Sequence, residues 1–357
     1  YDNIYEFYNI FRDKHTSIHA KNQQKFSYRL NTTRETIKYK SKISFNSEIY
    51  TQIFNTENKL LESDNFHSGT YARLFPILSI GMETPFKTIS SNNFIIKPSA
   101  QLVLTPGSSN SNKISNEDSS NNNFTLENIK SLNRYSGSDK LDNSKRVNYG
   151  IETYNDNISI KLSQSYEFTD NSNFHSEQGN DDKLSDLLGS IAYNKNYKAD
   201  YNFRYDLNDN FLKEQNISYK SNYKYGDIEL SYLDQKSKVN DIITQDTETF
   251  NYNFKSKKFF NFSKINFSGL YDLKKEINTE YKIGYSYFDE CFGINIDFTR
   301  KSYKEDNLKP QDILTLMFSF KSIGSYKSQN FLNSSSETLD NEWENIKLDN
   351  NLFEDYE

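Results

Sequence analysis

A single cysteine, Cys291, occurs in 357 residues, so no internal disulfide framework is available. Histidine is equally scarce. His15, His19, His67 and His175 have no Cys or acidic residues at metal-ligand spacing, and His15 and His19, four apart, would share a face only on a helix. There is no nucleophile elbow, phosphate loop or Gly-rich turn. The inventory therefore points away from an enzyme, a cofactor or a resident metal; the one opening left is the close carboxylates that any long polar strand set contains. No run approaches the roughly 18–20 apolar residues of a membrane-spanning helix. The formal charge is −6 with lysines and arginines scattered among acids, which leaves no footprint for nucleic acid. The chain starts YDNIYEFYNI, without Met, a basic n-region or a signal-peptide core, and reads as a piece of a longer protein.

Aliphatic residues are also few. Hydrophobic residues make up only 34%, too little for the core expected of two or three soluble domains. Abundant Asn, Ser and Lys would suit disorder, but disordered chains are poor in aromatics, and here Tyr and Phe supply 27 residues each, evenly spread. The composition indicates order.

What is present is a period of two. From Ile37 to Ile53 the odd positions carry Ile37, Tyr39, Ile43, Phe45, Ile49 and Ile53, and the even ones are mostly Lys, Asn, Glu and Gln. The pattern recurs over Ile158–Phe168, Ile191–Leu207, Phe250–Phe254, Ile277–Tyr287, Phe292–Phe298 and Leu314–Phe320. Alternation of this kind, rich in Tyr, Phe, Ile and Thr, is the strand signature. No segment has a convincing helical period, so the fold class is all-β. Pro76, Pro85, Pro98 and Pro106 fit strand ends flanking turns.

Two architectures use amphipathic antiparallel strands. A soluble sandwich has strands of about 5–6 residues around an aliphatic core. A transmembrane barrel uses about 9–11 residues per strand, apolar toward lipid and polar toward a wet lumen. The runs here are long, and their polar face carries Lys, Arg, Asp and Glu. Short turns such as Tyr225–Asp227 alternate with long Ser/Asn-rich segments near 107–145, 169–188 and 234–247. The expectation is a large antiparallel outer-membrane β-barrel over residues 1–324, followed by an acidic, disordered tail over 325–357 with Trp343 alone among acids. A secreted structural β protein is the bland alternative, but no fixed-period repeat supports it.

The segment from Asn116 to Gly150 resembles the long signature of the LptD family of lipopolysaccharide assembly proteins. Its core is Asn133, Arg134, Tyr135, Ser136, Gly137, Ser138, Asp139 and Lys140, and it closes on Arg146, Asn148, Tyr149 and Gly150. Arg73–Phe86, Ile95–Pro106, Gln164–Phe168, Ser185–Ile191, Asn202–Asp209, Tyr285–Arg300 and Lys309–Gly324 follow in the family's order. The resemblance covers roughly residues 70–325. Lys140 and Lys145 depart from the residues more usual there, and the Asn/Ser enrichment of 107–132 looks like compositional drift.

The resemblance implies an outer-membrane translocon that inserts lipopolysaccharide through a hydrophilic lumen and a lateral gate, with an LptE-like lipoprotein plug and an LptA-like periplasmic bridge as partners. A general porin or receptor barrel is the rival. It further implies that Cys291, in the turn Asp289–Cys291, pairs with a cysteine of an N-terminal periplasmic domain. Without the resemblance, Cys291 is a small buried residue or an incidental thiol. The Asn133–Asp139 core is implied to be a loop folded into the barrel mouth; read from its residues alone, it is a succession of turn formers in which Arg134 and Asp139 could pair weakly. The last strand is expected at Ile313–Ile323, its partner lying outside the chain, with Thr315, Met317 and Ser319 facing the lumen at the gate.

Overall fold

The computed structural model describes residues 1–12, 21–61, 65–88, 93–105, 110–120, 122–169, 171, 174, 179–181, 183–239, 242–257, 262–289, 291–302, 310–320 and 324–331. His15, His19, Pro106, His175 and Trp343 lie outside these residues. The described chain is all-β and antiparallel, with no helix among the described residues.

Twenty strands follow one another: β1 (Asp2–Phe11), β2 (Asn22–Lys38), β3 (Ser41–Leu60), β4 (Phe66–Glu83), β5 (Phe86–Lys87), β6 (Ile95–Leu104), β7 (Lys145–Tyr154), β8 (Ile158–Glu167), β9 (Asn180–Asp181) and β10 (Leu184–Ser185). Then come β11 (Leu187–Asn194), β12 (Tyr197–Asp206), β13 (Phe211–Asn222), β14 (Gly226–Val239), β15 (Ile242–Ser256), β16 (Ser263–Asp272), β17 (Ile277–Phe288), β18 (Phe292–Lys301), β19 (Gln311–Phe320) and β20 (Gly324–Phe331). The chain falls into two compact units, one made of 1–193, 201–215 and 237–243, the other of 194–200, 216–236 and 244–357.

In the first unit β1 pairs with β2, β2 with β3, β3 with β4, β4 with β6, β6 with β7, and β7 with β8. Tyr39–Lys40 and 155–157 are tight turns at one end, where the β4–β6 connection also lies; the β3–β4 connection and the long β6–β7 connection lie at the other. The register sorts side chains onto two unlike faces. One carries the row Phe26–Ile53–Ala72 and the row Phe45–Ile80–Leu102. It is apolar and open, with Leu74 67% exposed. The opposite face carries Lys25, Gln52, Arg73, Arg146 and Glu167, and all of these are buried. This is the inverse of a soluble protein, and it suits a sheet whose bare side meets lipid.

The second unit repeats the arrangement on its own. Across β17–β19, Tyr285, Ile296 and Leu316 share one row, and Tyr287, Ile294 and Phe318 the next. Gly284, Asp297 and Thr315 form a row of the other face, where Lys282 pairs with Asp297 at 3.2 Å.

Three expectations are corrected. The run Ile37–Ile53 is two strands, because Tyr39 and Lys40 both take left-handed φ (52° and 65°) and close a two-residue hairpin. Such a turn adds two residues, so alternation runs on through it in sequence while the faces exchange: Ile37 lies opposite Lys42. The run Ile191–Leu207 is likewise broken at 195–196. Pro76 and Pro98 sit inside strands and not at their ends: Pro76 in β4 opposite Ile49, before the stretch from Leu78 onward that pairs with β6, and Pro98 in β6 opposite Ile151.

The last-strand expectation is also overturned. β19 has β18 on one edge and β20 on the other, with Thr315 opposite Gln329 and Phe318 opposite Tyr326. β20 therefore extends into the segment expected to be disordered tail from 325. With few apolar residues in GSYKSQNF, it shows no alternation; its backbone pairing to the β19 edge defines it.

Candidate functional site

The residues between β6 and β7 pack on the polar face of the first unit. No helix or strand forms there among the described residues. Side chains of Asn, Ser and Thr bond to nearby backbone instead. Ser119 N–H donates to Asn116 Oδ1 at 3.0 Å, and Asn116 Nδ2 returns a bond to Ser119 O at 2.6 Å. Thr125 N–H donates to Asn128 Oδ1 at 2.8 Å. Asn133 Oδ1 accepts from Asp142 N–H at 3.0 Å, and its Nδ2 donates to Gly137 O at 2.9 Å. The Asn and Ser side chains of this segment thus serve its turns.

Two ion clusters fasten this loop to the strands. Lys25 of β2 reaches Asp118 at 2.8 Å and Asp139 at 2.9 Å, and donates to Ser138 Oγ at 2.6 Å. The two aspartates lock the loop crosswise. Asp118 Oδ1 accepts from Asp139 N–H at 2.8 Å, and Asp139 Oδ2 accepts from Glu117 N–H at 2.7 Å and Asp118 N–H at 3.2 Å. Tyr8 of β1 donates to Asp139 at 3.0 Å. Arg73 and Gln52 both donate to Ser138 O, at 2.8 and 3.0 Å.

In the second cluster Arg134 donates to Asp142 at 2.6 Å and to Glu167 of β8 at 2.5 Å, and Arg146 of β7 pairs with Asp142 at 3.0 Å. Asn171 donates to both acids at 3.2 Å. The Arg134 guanidinium stands 4.5 Å from the Phe124 ring and 4.9 Å from that of Phe174. Tyr135 stacks on Phe174, with Ile129 and Leu188 completing the patch. Leu141 fills a second patch with Tyr50, Phe75, Ile77 and Val103.

The electrostatics follow from these contacts. Burial pushes the Asp118 carboxyl up, but hydrogen bonds from Lys25, Ser119 and Asp139 N–H more than offset it, and the carboxyl is held at about 2. Asp142 is likewise held below the usual carboxylate range, because Arg134 and Arg146 outweigh its burial.

The structure brings together Asn133, Arg134, Tyr135, Ser136, Gly137, Asp139, Lys140, Arg146, Asn148 and Gly150. Arg134 does not pair with Asp139; each binds its own partner of opposite charge on a strand, and Arg134 is fully buried. Lys140 lies near the Tyr135 ring, and Asn148 donates to Gln101 at 2.8 Å. Gly150 allows close passage of Leu162 O, which a Cβ would strike. Tyr149 points to the opposite, apolar face, where its hydroxyl donates to Gln164 at 2.7 Å.

Lys25, Arg73 and Glu167 were not legible as site residues, because a charge on the polar period of a strand is shared with every other strand; Asp118 and Asp142 lie in the loop, within the family-like segment, and nothing local told which cations they would meet. A third group, missed for the same reason, joins Lys213 to Asp186 at 2.9 Å and to Asp206 at 2.7 Å.

Thr315, Met317 and Ser319 share one face of β19, opposite Leu314, Leu316, Phe318 and Phe320. Cys291 is an exposed free thiol in the turn between β17 and β18, where Asp289 accepts its N–H at 2.9 Å and that of Phe292 at 2.7 Å.

A sheet with an apolar open face, a charged covered face and a long loop clamped to the latter defines a protein of the outer-membrane β-barrel class. The chain matches the family described as LptD, LPS transport system D, over residues 5–313, and it belongs to that family. Its location is the outer membrane of a Gram-negative bacterium. No curated protein sequence matches at a significant level. Among solved structures, it is similar to the siderophore receptor PirA from Acinetobacter baumannii, with 10% identity, TM-score 0.40 and 84% of this chain covered. The chain spans 56% of that receptor's length. It is also similar to a triple mutant of the Rhodopseudomonas blastica porin, with 10% identity, TM-score 0.31, and 83% of this chain and 92% of the porin covered.

Proposed function

We propose that this chain forms the barrel part of a translocon that inserts lipopolysaccharide into the outer leaflet, without chemistry on the substrate. Family membership sets the substrate class, and one observation carries the reading: the face opposite the lipid-facing one is lined with charged and amide side chains. Lys282, Asn295 and Asp297 illustrate it, with Asn295 Nδ2 donating to Asp297 at 2.7 Å. Such a wall solvates a phosphorylated saccharide, whereas acyl chains require an apolar exit.

The exit in this reading is a lateral gate at β20, the last strand of the described chain, and not at β19. An LptE-like lipoprotein plug and an LptA-like bridge are the partners the family suggests, and Cys291, exposed in its turn, is available to bond a cysteine of a periplasmic domain.

The test is a photocrosslinker placed at Ser325 or Lys327 in the full-length protein in growing cells. A lipopolysaccharide adduct that disappears when transport energy is withdrawn supports the gate. If folded, membrane-inserted protein yields no adduct, the gate reading fails and a general porin takes its place.

A further inference from the structure

On the apolar face of the first unit, the strands do not lose their hydrophobic character at the same level. β2 presents Phe26, Tyr28 and Leu30, then turns polar at Thr32 and Arg34. Its neighbours stay apolar at that level: Arg34 lies in one row with Phe45, Ile80 and Leu102, and Thr32 in one row with Ser47, Leu78 and Leu104. The small side chains of Thr32 and Ser47, set between larger ones, leave a groove of about 410 Å³ across β2, β3, β4 and β6. Three strand spacings of about 4.8 Å make it roughly 14 Å long.

Arg34 stands at one end of this groove. It is exposed and has no ion pair with a described residue, while adjacent Glu35 is paired with Lys42 at 2.6 Å. A lone guanidinium on a lipid-facing surface is costly near the midplane and tolerable only near an interface. Arg34 lies toward the end of the unit that carries the tight Tyr39–Lys40 turn, and in outer-membrane barrels the short turns are periplasmic. The leaflet beside it is then the inner one, which consists of phospholipid.

We propose that this groove is a binding site for one glycerophospholipid of the inner leaflet. Arg34 takes the phosphodiester through charge-assisted hydrogen bonds, with the Thr32 hydroxyl beside it, and one acyl chain lies across Phe45, Ile80, Leu102 and Leu104. The site rests on the membrane location of the sheet and is independent of lipopolysaccharide transport. Its chemistry needs a phosphate and an acyl chain on the same molecule, so neither detergent nor free phosphate satisfies it.

Native mass spectrometry of the full-length protein, released from detergent after titration with dioleoylphosphatidylglycerol, tests the proposal. One adduct should saturate at low lipid excess. Arg34→Ala removes the anion partner and Ser47→Leu fills the groove; each should weaken that adduct at least fivefold, while Arg34→Lys retains most of it. Both changed side chains point away from the loop-covered face, and the heat-dependent gel shift of a folded barrel verifies each variant. Unchanged adducts in the two folded variants would overturn the site. So would loss with Arg34→Ala but not Ser47→Leu, which would mean surface charge alone. Displacement of the phospholipid by equimolar lipopolysaccharide would overturn the choice of ligand.

Discussion

Arg134 and Glu167, 33 residues apart and both fully buried, meet at 2.5 Å and join the long loop to strand β8. Asp142 accepts from the same guanidinium and from Arg146, so two cations and two anions share one buried pocket. Breaking a buried pair by removing one partner leaves the others uncompensated and typically costs about 3–5 kcal/mol. Arg134→Met should therefore release the loop while the strands persist. Proteolysis within 110–144 of the folded protein measures this, and full protection would show that the Lys25 cluster and the apolar patches hold the loop without Arg134.

Acid should loosen the same loop. The Asp118 and Asp142 carboxyls titrate lower in the folded protein than in the unfolded chain, so their stabilisation is complete above the ordinary carboxylate value of 3.8. It is lost as the pH falls from there toward about 2, where Asp118 takes up its proton. Loop protection followed from pH 6 downward should collapse in that window, and Asp118→Asn should be less protected at pH 6 and respond less to acid.

Gly137 has no room for a methyl group, because a Cβ there would overlap the backbone carbonyl and the carboxylate of Asp118. Gly137→Ala should cost about 1–3 kcal/mol, the usual range for overpacking. Ser136→Ala, which loses two exposed hydroxyl contacts with Ser120, to its Oγ at 2.9 Å and from its N–H at 3.1 Å, should fall well below that. Urea unfolding in micelles compares the two.

The two faces of the second unit make a separate prediction. Ile296 is on the apolar face and Thr315 on the charged one, beside Asp297. Arginine at 296 should cost up to about 2–4 kcal/mol, depending on its depth in the bilayer, and arginine at 315 close to nothing. Equal penalties in bilayer-embedded protein would contradict the face assignment.

The alternating runs around Ile158, Ile277, Phe292 and Leu314 were legible as strands because a period of two survives any register. The turns at Tyr39–Lys40 and 195–196 were not, since a two-residue hairpin conserves the alternation it interrupts. β20 was invisible for the opposite reason: it has hardly any apolar residues to alternate. Asn133–Lys140 stood out by resemblance, yet nothing local told which charges its Arg and Asp would meet.

By itself, then, the sequence determined the fold class and the apolar-out, polar-in character of the strands, because both are local consequences of side-chain order along an extended backbone. Only the tertiary structure decided that Lys25 sits between Asp118 and Asp139, that Arg134 closes on Glu167, and that Arg34 overlooks a groove framed by three other strands. These pairings depend on strand register and on how a loop folds back. A charge buried in such a fold must find its partner wherever the chain brings one, however distant in sequence.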